Sequence, residues 1–212
     1  MYVPKHFAET DPSVLKALIK ERPLGAWVNH GCDELIVNHI PFHFDSDAGE
    51  YGTLIGHVAR ANPVWKSLSS THPSVVIFQG EQAYISPSWY PSKHEDSRTV
   101  PTWNYVVAHA HGYPRVVEDR ARLLAIVSKM TEIHESNQTV PWNISDAPPE
   151  FIDTLLGAII GIEIPLTKLT GKWKVSQNRT LQDKLGTVAG LQAMGNAEAK
   201  GMAQQVIRFA RD

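Results

Sequence analysis

The sequence predicts an α+β protein in which an antiparallel β-barrel, closed or half-open, is joined to peripheral and C-terminal helices. Two observations predict this class. Short strand-like segments, separated by turn residues, recur at regular spacing between residues 24 and 117. Beyond residue 118, apolar residues recur three or four positions apart over long stretches, which is typical of amphipathic helices.

The first half begins with a short amphipathic helix at 12–21, followed by strands at 24–29, 34–44, 52–58, 75–78, 83–86, 103–110 and 115–117. Hairpin turns are predicted at 30–33, which contains Cys32 and Asp33, and at 79–82. Pro41 cannot donate a ladder hydrogen bond, so its strand is expected at a sheet edge or bulged. Asn62 should cap a short helix that begins at Pro63 and ends at Leu68.

The second half is predicted to be mainly helical, with helices at 118–136, 148–156, 180–194 and 197–211. Two late strands are predicted at 160–166 and 172–175, with a break at Pro165 and a turn at Thr170 and Gly171. Gly195 and Asn196 suit the junction between the last two helices. We expect one domain over residues 1–212, with its helical C-terminal part covering about 178–211.

The composition restricts the classes of function. The formal net charge is −2, whereas a protein that binds nucleic acid through phosphate contacts usually has a basic total or a basic face. Direct DNA binding is therefore doubtful. The one cysteine, Cys32, excludes an intramolecular disulfide. We find neither a signal-peptide pattern nor a membrane-spanning apolar run, so we expect a cytoplasmic protein with no membrane association.

Several motifs carry a family resemblance: MYVPKHF at 1–7, GTLIGHVARANP at 52–63, AYISPSWY at 83–90, VPTWNY at 100–105 and KVSQN at 174–178. With these motifs the chain resembles the PaiB-type FMN-binding negative transcriptional regulators of bacteria over essentially its whole length. The resemblance implies an antiparallel split β-barrel of the FMN-binding type. It also implies a homodimer that holds FMN in a groove at the subunit interface. The regulator label describes a phenotype and does not by itself imply a DNA contact.

FMN needs donors for its phosphate, and the run from His57 to Pro63 offers them. Arg60 has a planar guanidinium that suits phosphate geometry. Asn62 begins a predicted helix, where free N–H groups favour an anion. His57 could add a donor, and Ala61 lies between the two phosphate candidates. The alternative is structural: Asn62 only caps the helix, and Arg60 only pairs with a surface acid.

The flavin ring and ribityl chain have other candidate neighbours. By analogy with split-barrel flavoproteins, the strand that contains Asn38, His39 and Ile40 would contact them through backbone groups. Trp103 and Tyr105 share one strand face and could cover the ring, while Asn104 on the other face could bond a flavin carbonyl. These three residues could equally be core or interface residues.

Lys174 and Gln177 could reach the site from the partner subunit. The alternative is that Gln177 is merely exposed and that the adjacent Asn178 caps the following helix. No catalytic residue is assigned, because neither a nucleophile elbow nor a glycine-rich phosphate loop is present.

Three functions remain open. The first is an FMN-binding protein that acts as a flavin-dependent sensor or regulator, or as a small oxidoreductase. The second is a DNA-binding repressor without a functional flavin, in which the last two helices would be the candidate DNA-contacting elements. We expect the last of these helices to cover a core instead, because Val206, Ile207 and Phe209 have packing spacings. The third is a haem-binding split barrel, since the chain has spare histidines. No metal site is assigned.

Overall fold

The structure, a computed structural model, describes residues 1–31, 34–68 and 71–210. Its strands within those ranges are β1 (Ala8–Glu9), β2 (Leu24–His30), β3 (Leu35–Pro41), β4 (His43–Asp45), β5 (Thr53–Ala59), β6 (Ser74–Ile85), β7 (Thr102–Gly112), β8 (Arg115–Val117) and β9 (Ile159–Lys174). The α-helices are α1 (Pro12–Glu21), α2 (Arg120–Glu135), α3 (Pro149–Gly157), α4 (Leu181–Ala193) and α5 (Ala197–Arg208). Short 3₁₀ helices lie at Lys5–Phe7, Pro63–Ser67, Pro87–Trp89, Pro91–His94 and Ile144–Asp146.

The strands pair in the order β3-β2-β6-β7-β9-β5-β4, and β1 and β8 also pair with β9. The pairs β2–β3 and β5–β9 are antiparallel, with Val28 opposite Val37 and His57 opposite Gly161. The α+β class with an antiparallel sheet is therefore confirmed. The expectation for Pro41 is confirmed as well, because β3 ends the strand order and Pro41 is its last residue.

The chain divides into two compact units. Unit 1 comprises Met1–Leu18, Gln79–His109 and Thr170–Asp212, and unit 2 comprises Ile19–Phe78 and Ala110–Leu169. The long strands β6, β7 and β9 each contribute residues to both units. The prediction of one domain over residues 1–212 stays a prediction.

Unit 2 has a core of large apolar side chains that alternate along its strands. Trp27, Phe42 and Phe78 are almost fully buried, and their rings meet edge to face at 6.3 to 6.4 Å. The indole N–H of Trp27 donates to Ser74 Oγ at 3.0 Å, so its polar atom is satisfied. On the other face of β5, Ile55 packs against Ile126 and Met130 of α2. Burial of each such side chain contributes about 1.5–3 kcal/mol.

Unit 1 contains the two C-terminal helices, α4 and α5. Thr180 and Asn196 cap α4 and α5 through their side-chain oxygens, and Gly195 between them has φ +75°. Leu191, Met202 and Val206 are fully buried. Helix α5 therefore uses its apolar face for packing, as the spacing predicts.

Two predicted turns are wrong. The turn at residues 79–82 does not form, because β6 runs without a break from Ser74 to Ile85. The alternation of buried residues along β6 shifts by one position there. Even-numbered residues are buried up to Phe78, and odd-numbered residues are buried from Ala83 onward. A polar stretch with Gly80 therefore marks a local shift in the strand and not a reversal of the chain.

The turn at Thr170 and Gly171 and the break at Pro165 are also wrong, because β9 continues from Ile159 to Lys174. Pro165 is accommodated opposite Thr53. A Cβ atom on Gly171 would lie 2.2 Å from Leu15 Cδ2, so this glycine allows α1 to pack closely.

The other predicted elements are found with small changes at their ends. Helix α1 and strand β8 have the predicted bounds, and the predicted strand at 34–44 is divided at Phe42 into β3 and β4. The hairpin between β2 and β3 forms, and Gly31 N donates to Glu34 O at 2.8 Å. Its predicted turn residues Cys32 and Asp33 lie outside the described residues, as does Arg211 at the predicted end of the last helix.

Candidate functional site

In unit 2 the structure brings Asn38 and Asn62 together. Asn62 Nδ2 donates to Asn38 Oδ1 at 2.8 Å, and Asn62 Oδ1 accepts from Val64 N at 3.0 Å. Asn62 is therefore the N-cap that the sequence predicts. The helix that follows is a 3₁₀ helix of five residues, so its dipole is short. Asn38 Nδ2 is buried and has no hydrogen-bond partner among the described residues.

Arg60 is held by unit 2 itself. Its Nε donates to Gly157 O at 2.9 Å, one terminal nitrogen donates to Glu118 Oε1 at 2.9 Å, and the other contacts Ile159 O at 3.4 Å. The Arg60 and Glu118 side chains are 39% and 54% exposed. These contacts agree with the alternative that Arg60 pairs with a surface acid. Its exposure nevertheless leaves part of the guanidinium accessible. Ala61, next to it, is exposed.

His57 lies on β5 on the same face as Ile55, by the alternation of the strand. Burial lowers the pKa of its imidazole, so the ring is neutral at pH 7. Its Nδ1 has no hydrogen-bond partner within the described chain. On β3, Ile40 belongs to the core, whereas His39 points away from it and is exposed.

In unit 1 the predicted alternation of β7 is confirmed. Trp103 is 49% exposed, Tyr105 is half-buried, and Asn104 between them is buried. The indole N–H of Trp103 donates to Gln82 Oε1 at 3.1 Å, and its ring meets Tyr84 edge-on at 6.2 Å. Trp103, Tyr105 and Gln82 line a groove of about 180 Å³.

Asn104 faces a second group of polar residues in unit 1. Its Nδ2 donates to Ser176 Oγ at 2.9 Å, while its Oδ1 has no hydrogen-bond partner in the described part of the chain. A cavity of about 110 Å³ is lined there by Tyr90, Thr102, Asn104, Lys174, Ser176 and Arg179, among others. We call it the polar cavity.

Lys174 and Gln177 have different environments. The Lys174 ammonium donates to Thr102 Oγ1. Burial lowers the pKa of Lys174; the interaction with Tyr105 opposes this shift, whereas the nearby charges of Lys172 and Arg179 add to it. Gln177 instead binds its own turn, because its Oε1 accepts from Val175 N at 2.8 Å. It therefore shapes the end of β9.

A larger cavity in unit 2 contains none of the predicted site residues. It has a volume of about 610 Å³. Phe42, Phe44, Ile55 and Met130 form its apolar lining, with His43 at its polar side. Burial lowers the pKa of His43, against the opposing charge of Asp45. Sequence patterns gave no signal for this cavity, because its lining comes from separate elements.

The polar cavity contains residues that the sequence interpretation missed. Thr102 lies inside the VPTWNY motif and Ser176 inside the KVSQN motif, and Arg179 follows that motif directly. The signal that could have identified Thr102 and Ser176 is that both are polar residues inside motifs of the family resemblance. Of the twelve predicted residues, seven lie in unit 2 and five in unit 1.

Residues 1–31, 34–68 and 71–210 contain neither a candidate metal site nor a candidate membrane span. No group of three or more His, Cys, Asp or Glu side chains is placed to hold a metal ion there. None of the helices in these ranges has the length and hydropathy needed to cross a bilayer.

The fold places the chain in the class of split-barrel proteins. It is similar to the solved structure of the flavocytochrome Anf3 from Azotobacter vinelandii, with a TM-score of 0.58 at 13% identity over 84% of this chain and 73% of that chain. It is also similar to the FAD and heme binding protein from Mycobacterium smegmatis, with a TM-score of 0.52 at 15% identity over 79% and 73% of the two chains. At these identities the likeness shows the fold alone.

Sequence comparison then identifies the family. The model of the family described as "Putative FMN-binding domain" matches residues 1–168. The chain is 32% identical over 206 residues to the protease synthase and sporulation protein PAI 2 of Bacillus subtilis, covering 96% of this chain and 95% of that protein. An uncharacterized protein of Emericella nidulans is 32% identical over 241 residues, covering 97% and 96%. The chain therefore belongs to this PaiB-type FMN-binding family, and the resemblance is confirmed.

Proposed function

We propose that the protein binds FMN and acts as a flavin-dependent sensor or regulator, or as a small oxidoreductase. Membership of the family supports a flavin ligand, and the family's description supports FMN in particular. When bound, FMN supplies redox chemistry by accepting and donating electrons or hydride. The protein's part is to bind and orient the cofactor.

The observation that carries this proposal is the position of the unpaired polar atoms. Folded proteins satisfy nearly all buried polar groups, so an unpaired one needs an explanation such as a ligand. Among the described residues, six buried side-chain polar atoms have no hydrogen-bond partner. Three of these atoms, on Asn38, His57 and Asn104, belong to the twelve residues that the sequence predicts as flavin contacts.

These groups fit the polar parts of a flavin. Asn38 offers an amide donor for a carbonyl or a ribityl hydroxyl, and the neutral His57 ring offers a nitrogen that donates or accepts according to its tautomer. Within unit 1, the exposed ring of Trp103, with Tyr105 beside it, forms an aromatic surface of the kind on which flat rings stack.

We further propose that the protein is a homodimer. The edge strand β3 exposes Leu35 (62%) and Val37 (53%), and an exposed apolar edge strand is normally covered. A dimer mass in light scattering is the expected result. A monomer at all concentrations would contradict this part of the proposal.

The test of FMN binding is a titration followed by quenching of flavin fluorescence. Asn38→Ala should weaken binding by about 0.5–1.5 kcal/mol, roughly two- to twelve-fold, because one hydrogen bond is lost. Asn137→Ala is the matched control, since Asn137 is exposed on the segment after α2. Because Asn38→Ala also removes the bond to Asn62, its unfolding temperature is measured in parallel. Equal affinities of the two variants would remove Asn38 from the site.

Haem is the second candidate cofactor, and His57 favours it. A neutral imidazole with an unpaired nitrogen can act as an axial ligand to iron. A haem protein would show a strong Soret band that His57→Ala abolishes. A purified protein with flavin bands and no Soret band would contradict this candidate.

A further inference from the structure

The polar cavity in unit 1 is built from three separate chain segments. Thr102 and Asn104 come from β7, Lys174 and Ser176 come from the end of β9, and Tyr90 comes from the loop after β6. The volume of about 110 Å³ is well below the 300–1,000 Å³ that is typical for pockets of drug-sized ligands. The cavity therefore suits a small chemical group and not a ring system.

The charge of the lining is positive. Lys174 and Arg179 both line the cavity, and no aspartate or glutamate of the described residues is among its lining. The Arg179 guanidinium lies 4.6 Å from the ring centroid of Tyr90, so it stays near the cavity by a cation–π contact. The nearby carboxylate of Asp183 is already bound by Ser92, through its backbone N–H at 3.1 Å and its hydroxyl at 2.8 Å.

The uncharged lining groups can adapt to an anion. Asn104 is 1% exposed and has one amide atom without a hydrogen-bond partner among the described residues. Because Ser176 Oγ can donate as well as accept, turning the amide by 180° keeps their 2.9 Å bond and leaves Nδ2 as the free donor. Ser176 has φ +68°, a left-handed conformation that is uncommon for serine and often marks functional sites.

We propose that the polar cavity binds a dianionic phosphate group through Lys174, Arg179, Thr102 and Asn104. Two cations and two polar groups around a small space match the four oxygens of phosphate. The phosphate comes either from the end of a bound FMN or from a separate phosphate-bearing ligand. This site stands without the proposed function, because inorganic phosphate alone should bind it.

The first experiment measures thermal unfolding and ³¹P NMR line width of the full-length protein during titration with inorganic phosphate, in chloride buffer at matched ionic strength. The wild type should be stabilised and should broaden the phosphate resonance. Lys174→Gln should weaken phosphate binding roughly ten-fold or more, because a charge-assisted hydrogen bond is lost. Lys200→Gln, which changes an exposed lysine of α5, should behave as the wild type.

A second variant keeps the proposal testable if Lys174→Gln fails to fold. Thr102→Val keeps the shape of the side chain and removes its hydroxyl, so it should weaken phosphate binding by a smaller factor of a few-fold. If phosphate affects the wild type, Lys174→Gln and Lys200→Gln equally, or no more than chloride does, the proposal is overturned.

Competition then identifies the source of the phosphate group. If the flavin phosphate occupies the cavity, inorganic phosphate should raise the apparent Kd for FMN but leave that for riboflavin unchanged. If the ligand is separate, phosphate and FMN should bind independently, with phosphate binding still lost in Lys174→Gln. A protein that binds phosphate but no flavin would contradict the proposed function and leave the cavity assignment intact.

Discussion

The ion pair between Arg60 and Glu118 gives the sharpest mutational test of the predicted flavin contacts. If Arg60, and not the polar cavity, binds the FMN phosphate, the Glu118 carboxylate is a competing anion 2.9 Å away. Both side chains are about half exposed, and such pairs contribute about 0–1 kcal/mol. Glu118→Gln should therefore tighten FMN binding by up to about 1 kcal/mol, roughly five-fold, and cost at most about 1 kcal/mol of stability.

Arg60→Ala should act in the opposite direction. On that same assignment, loss of a charge-assisted bond to phosphate weakens FMN binding by about 1.5–3 kcal/mol, roughly 10- to 150-fold. The same substitution removes the bond to Gly157 O at 2.9 Å, so the free energy of unfolding should fall by about 1–2 kcal/mol. Fluorescence-quenching titrations give the affinities, and urea unfolding gives the stabilities.

Two comparisons make this result specific. Glu132→Gln breaks a similarly exposed pair with Lys129, at 2.9 Å, and should leave FMN binding unchanged. Riboflavin, which has no phosphate, should bind the wild type and Glu118→Gln equally. Unchanged FMN affinity in both Arg60→Ala and Glu118→Gln would refute the reasoning and leave Arg60 with a structural role only.

Three further predictions concern packing, pH and DNA. Gly112→Ala should lower Tm by several degrees, because its Cβ would lie 2.3 Å from Pro165 O and such overpacking costs about 1–3 kcal/mol. The control is Gly157→Ala, which has open space around it and should leave Tm unchanged or raise it. Burial lowers the pKa of His57 in the folded state, so the unfolded chain binds more protons and stability should fall as pH drops below about 6.5. His57→Gln should flatten this dependence in urea unfolding between about pH 7 and pH 5, and an unchanged slope would contradict it. Alanine at Gln204 and Arg208, two exposed positions on α5, should leave any salt-dependent shift of duplex DNA unchanged. A loss of that shift would show that α5 contacts DNA.

Local patterns predicted the elements whose boundaries depend on local chemistry. The N-cap role of Asn62 and the edge position of Pro41 each follow from one residue's hydrogen-bonding capacity. The continuous strands β6 and β9 could not be predicted in this way. Gly80 and Gly171 resemble turn residues in sequence, but tertiary neighbours determine their conformation, as the contact of Gly171 with Leu15 shows.

In the candidate site, too, the sequence predicted local features but not contacts between distant segments. The motifs located the segments that carry unpaired polar atoms, including Asn104. The alternative that Arg60 pairs with a surface acid is found, but the motifs could not identify that acid as Glu118 or indicate the carbonyl groups near residue 158, because those partners are distant in sequence. Arg179 was missed for a related reason, since its role depends on a turn that places it over Tyr90.

The visible absorption spectrum of the purified protein, recorded before and after addition of FMN, tests the central claim most directly. We expect flavin bands that shift on binding, with fluorescence quenched until one FMN is bound per chain. A spectrum that is simply the sum of protein and free FMN, with full flavin fluorescence at every ratio, would contradict the account.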